Sequence, residues 1–231
     1  MPETQGALIE GKLQQSVRLT ALGLASLVPY LGGPLGVALG EFFERASTRR
    51  IEALFDDVFS RLATLESFEN SLAKGALSDN ETFMTVLLDA VKTCERTTSA
   101  AKFEALRNAI LNSWVSTEPV DLQLIFVRYV EELTPSHLQL LTLLNDPSGF
   151  FSTNGIEWPN IYMGAKTQLV AAAMPSWGQE FTNQLCLDLQ QRGLIGNSSL
   201  GAMTTAASLA TPSTTKYGAQ FLKFISEPEP T

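Results

Sequence analysis

The chain of 231 residues carries 16 Lys+Arg against 24 Asp+Glu, a formal net charge of −8, and 45% hydrophobic side chains. So much apolar surface excludes global disorder, and the acidic balance argues against phosphate-based nucleic-acid binding, which normally needs a basic face. Two cysteines, Cys94 and Cys186, stand far apart in unlike contexts; they exclude a disulfide framework or cysteine metal site and fit a reduced, cytoplasmic setting.

From Leu19 to Gly40 there is no charged side chain. A run of about 22 residues would reach about 33 Å as one helix, enough for a bilayer core of about 30 Å. Within it Gly32, Gly36 and Gly40 form a glycine zipper, a small-residue face on which two helices can approach closely. Pro29 and Gly32-Gly33-Pro34 divide the run into two pieces, each too short to span. A soluble hairpin is therefore the expected resting form, and membrane contact or self-association is the functional expectation. Arg45, Arg49 and Arg50 follow at once; they form a headgroup-facing cluster in the membrane reading and a solvated surface otherwise. Glu3, Glu10, Lys12 and Arg18, together with the broken apolar run, argue against a secretory signal.

A helix is expected from Pro34 to about Ser71, with Ile51, Leu54, Phe55, Val58, Phe59, Leu62 and Leu65 on one face. Gly75 stops it, and Ser78-Asp79-Asn80 supplies caps for a helix over 80–97 with Phe83, Val86, Leu87, Ala90 and Val91 inward. Further helices are expected over 99–115 and from Pro119.

Thr134 as N-cap and Pro135 at the first helical position open the next helix, which ends at Pro147. A loop with Gly149, Gly155, Trp158 and Pro159 follows, then helices over Ile161–Met174 and Trp177–Arg192. "DLQQRGLI" leads into a hairpin-like segment across 195–212, and "TKYGAQFLKFI" is a last short helix. Three helices followed by a hairpin is the order of a winged helix, with the helix ending at Arg192 in the recognition position. The expected fold is thus mainly α. Residues 1–133 form an N-terminal helical bundle or hairpin region that includes the glycine-rich segment 19–40. Residues 134–226 form a winged-helix-like domain with a small β wing, and 227–231 a tail.

Chemistry finds little support in these residues. His137, the only histidine, has no partner motif, and nucleophile elbow, P-loop, zinc-protease and paired-cysteine patterns are absent. No catalytic, cofactor or metal residue is assigned, and a non-enzymatic protein is expected. The recognition-helix candidate carries Asn183, Gln184, Gln190 and Gln191, which suit base edges, but Arg192 is its one cation beside Glu180 and Asp188. Residues 131–231 hold four Lys+Arg against eight Asp+Glu. A protein partner or self-association is therefore the stronger expectation, and a winged-helix regulator or adaptor binding nucleic acid or a protein partner the alternative.

Three stretches together resemble a known group. They are "LVPYLGGPLGVALGEFF" with the Arg/Glu-rich helix after it, "ELTPSHLQLLTLLNDP", and "DLQQRGLI" with "TTKYGAQFLKFI". The chain is similar to bacterial Abi-alpha proteins, associated with abortive infection against phage. Where that pattern has a threonine-proline pair before the final glycine, this chain has Thr215-Lys216-Tyr217-Gly218. The resemblance implies a phage-defence effector that is cytoplasmic at rest and membrane-associated on activation. It implies no active-site residue.

Overall fold

The structure, a computed structural model, describes residues 49–62, 80–196 and 200–228. Among them the fold is mainly α, with ten helices and one two-stranded sheet. The chain divides into two compact units. The first comprises the residues up to Glu131 and those from Ile225 onward, and the second is Glu132–Phe224.

In the first unit α1 is Arg49–Leu62, α2 Glu81–Arg96 and α3 Ala100–Val115, while α4 runs Val120–Glu132 into the second unit. The apolar stripe of α1 lies as its spacing predicts: Ile51, Leu54, Phe55, Val58, Phe59 and Leu62 are all buried. Asn80 caps α2 by accepting the Phe83 N–H. Phe83, Val86, Leu87, Ala90 and Val91 are buried too, and the Phe83 ring meets Trp114 of α3 edge-on at 5.1 Å.

The second unit begins with α5, Pro135–Asn145, followed by a short α6, Pro147–Thr153. The sequence reading placed only a loop after Pro147. The helix forms there because Asp146 caps it through the Gly149 N–H and Pro147 needs no N–H donor at the first position. Gly155, at φ +64°, closes it: the Ile156 N–H reaches the Phe151 carbonyl and the Gly155 N–H that of Ser152.

Strand β1, Met163–Gly164, precedes α7, Lys166–Ala173. The helix expected from Ile161 therefore starts five residues later. Met163 and Gly164 are held extended by antiparallel pairing with β2, Thr204–Thr205, in the register Met163 to Thr205 and Gly164 to Thr204. Helix α8 is Gln179–Gln191; α9, Ala206–Leu209, and α10, Lys216–Ile225, complete the chain order. The hairpin expected within 195–212 is corrected by the same pairing. Its two arms are extended, but β2 pairs with β1, and Ile195 bridges Thr214 instead. The turn after α8 sets this up. Gly193, at φ +69°, lets the Leu194 N–H reach the Leu189 carbonyl and its own N–H that of Gln190. Leu194 and Ile195 are thereby turned into the core, where both are buried.

Candidate interaction surface

Helix α8 has two unlike faces. Thr182, Leu185, Cys186 and Leu189, at helical spacing, are buried. Burial pushes the Cys186 thiol up to about 11. The rest of the helix surface presents Glu180, Asn183, Gln184 and Gln191 to solvent together with Leu187, 50% exposed, and Phe181, 46% exposed, which stands at the edge of the buried stripe. Trp177, just before the helix, meets Phe181 edge-on at 5.6 Å and extends the apolar ground. Sequence reading singled out the amides of this helix and overlooked Phe181 and Leu187. For Leu187 the signal was present, since it falls outside the stripe of Leu185, Cys186 and Leu189; Phe181, four residues before Leu185, falls at the stripe's edge by spacing, and only the structure shows it exposed.

A polar network anchors the helix from behind. His137 occupies the third position of a capping box at the start of α5, where its Nδ1 accepts the Thr134 N–H at 3.1 Å. The Thr134 hydroxyl lies 2.8 Å from the same nitrogen. With Nδ1 accepting, Nε2 carries the proton and donates to Asp188 Oδ2 of α8 at 3.2 Å. Gln184 Nε2 donates to the other carboxylate oxygen at 2.9 Å. A hydroxyl, an imidazole and a carboxylate in line resemble a nucleophile relay. Here, though, the imidazole lone pair already takes a backbone N–H, so the arrangement orients and caps.

Two of the four cations of this unit, Arg192 and Lys166, are bonded within it. Arg192 donates to the Asp188 carbonyl and to Glu132 Oε2, each at 3.2 Å, while its buried Nε has no partner among the described residues. Lys166 donates to the Thr211 carbonyl and the Ser213 hydroxyl, and desolvation lowers its pKa. Lys216 and Lys223, both on α10, are exposed. Helix α8 therefore presents carboxylates, amides and apolar carbon, and Arg192, the cation at its end, is bonded within the unit.

Of the residues singled out in the sequence, Gly32, Gly36, Gly40 and Arg45 lie outside the described residues. Arg49 and Arg50 open α1. Among the described residues no helix is long and apolar enough to cross a membrane. Compared with known protein families, curated proteins and solved structures, the chain shows no significant match.

Proposed function

We propose that this chain is a non-enzymatic interaction protein whose second unit is a winged-helix-like module that binds protein, not nucleic acid. Helix, strand, helix, helix and then extended segments support the winged-helix reading, with α8 in the recognition position. The observation that carries the functional reading is the solvent face of α8: Phe181 and Leu187 point outward while Arg192 is bonded to Glu132. A helix that docks on DNA needs the reverse, cations outward and few bare apolar groups. The setting we propose is phage defence of the abortive-infection kind, from the resemblance of the three sequence stretches. Residues 19–40 would then engage a membrane or a second copy on activation.

The test uses the full chain and the double variant Phe181→Glu/Leu187→Glu in a bacterial host challenged with phage. The variant is expected to fold with unchanged helicity and to lose protection. Duplex binding at physiological salt should be about 10⁻⁴ M or weaker for both proteins. Tight duplex binding with a steep salt slope, or full protection by the variant, overturns the reading. For the membrane part, Gly36→Leu should abolish dye release from liposomes; unchanged release removes the glycine face from the mechanism.

A further inference from the structure

Lys166 opens α7, and its side chain ends on two neutral oxygens of the segment that follows α9. Its Nζ donates to the Thr211 carbonyl and to Ser213 Oγ, the latter at 2.5 Å. Among the described residues this amine makes no ion pair. Burial without a counter-charge disfavours the ammonium and lowers its pKa. The first position of a helix, at the positive end of its dipole, acts in the same direction. A neutral amine carries a lone pair, and at this distance the Ser213 hydroxyl can donate to it.

Ser213 is held from both sides. Its N–H donates to the Leu144 carbonyl at 2.8 Å, and its carbonyl accepts the Gly196 N–H at 3.0 Å. The next residue, Thr214, bridges Ile195, and its hydroxyl donates to Asn145 Oδ1 at 2.8 Å. With the main chain fixed, the Ser213 hydroxyl is placed against the amine before any reagent arrives, which is what a nucleophile and its base require. Lys166 and Ser213 are half-buried and the neighbouring Thr211 and Pro212 are exposed, so the pair lies within reach of solvent. Attack on an acyl carbon needs little more than removal of the hydroxyl proton. Phosphoryl transfer would need further cations to neutralise the transferred group, and the one amine present is already engaged as the base.

We propose that Ser213 and Lys166 form a nucleophile–base pair that accepts the acyl group of a thioester or an activated ester. Lys166 Nζ takes the hydroxyl proton as Ser213 Oγ bonds to the acyl carbon. The bond from that carbon to the leaving sulfur or oxygen breaks, and the ammonium returns the proton to the departing thiolate or alkoxide. The products are acyl-Ser213 and a free thiol or alcohol, with nothing oxidised or reduced. Acceptance is stoichiometric, one acyl group per chain, so this is a modification site and the unit stays non-enzymatic. It uses no residue of α8 and stands whatever α8 binds.

The probe is p-nitrophenyl acetate, added to the full chain, with released nitrophenolate giving the rate and peptide mass spectrometry the acetylated residue. Acetyl is expected on Ser213, and Ser213→Ala should remove it. Lys166→Arg keeps a donor for the Thr211 carbonyl but stays charged and cannot take a proton. It should therefore retain the thermal midpoint while slowing acetylation of Ser213 about a hundredfold. Acetyl on Lys166, Ser208 or Thr211 in place of Ser213, no acetyl at all, or equal rates for the unaltered and Lys166→Arg chains overturns the proposal. If arginine at 166 unfolds the unit, the pH profile of the unaltered chain decides. Its rate should rise as the Lys166 ammonium loses its proton and level off, with a half-point below the ordinary lysine value of 10.5. A rate that climbs in proportion to hydroxide through that value overturns the proposal as well.

Discussion

Gly218→Ala should destabilise the second unit although alanine favours helices. Gly218 lies in α10, directly over the backbone of Leu194. A Cβ there would come within 2.8 Å of the Leu194 carbonyl carbon, and closer still to its oxygen, where ordinary contact is 3.4–4 Å. Backbone cannot rotate aside as a side chain can, so α10 must withdraw by on the order of 1 Å, at an overpacking cost of about 1–3 kcal/mol. Withdrawal also strains the bond from the Thr215 N–H to the Leu194 carbonyl, 3.1 Å long, worth about 1 kcal/mol. Better helix propensity returns at most about 1 kcal/mol. The net loss is about 2 kcal/mol, which for a unit of this size lowers its Tm by roughly 8–16 °C. Thermal melts followed by circular dichroism measure it directly. An unchanged or higher Tm would show that α10 does not lie on Leu194, and the packing argument would fail with it.

Three further outcomes follow from the same geometry. His137→Ala removes both the acceptor for the Thr134 N–H and the donor to Asp188, so the urea midpoint should fall by the equivalent of about 1–3 kcal/mol; an unchanged midpoint would mean the network is idle. Gly193→Ala, forced to φ +69°, should cost about 1–2 kcal/mol and Gly193→Asn clearly less, because asparagine tolerates the left-handed region; equal losses would contradict the turn described. The Cys186 thiol, raised from 9.0 to about 11, stays protonated in the folded chain while it ionises in the unfolded one, so stability is lost as pH rises through that window, by about 2 kcal/mol at about pH 10.5. Lys102 and Lys166, whose pKa values are lowered by burial, act in the opposite sense just below 10.5 but are common to a Cys186→Ala comparison, which should show the shallower alkaline decline; parallel declines would refute the assignment.

Local signals in the sequence were read well, and pairings across distance were not. The stripe on α1 and the caps at Asn80 and Thr134 depend on neighbours within a turn or two, so spacing alone reveals them. The extended nature of 204–205 was legible as well, but its partner was not. Met163–Gly164 joins Thr204–Thr205 across some forty residues, and tertiary contact overrode an apolar period that favoured helix from Ile161. The candidate interaction face was half legible. The scarcity of cations near Arg192 could be counted, whereas its bond to Glu132 and that of Asp188 to His137 arise only when α8 folds against residues some fifty to sixty positions earlier.

The division of the chain also sets an order of events during synthesis. Glu132–Phe224 is contiguous, so every residue of that unit is synthesised before Ile225 and the segment after it. The carboxamides of Asn108 and Asn112 must wait for carbonyls encoded more than a hundred codons downstream. The first unit can therefore close only after all of the second has been synthesised. A stop codon in place of Ile225 would leave both carboxamides permanently without these carbonyls.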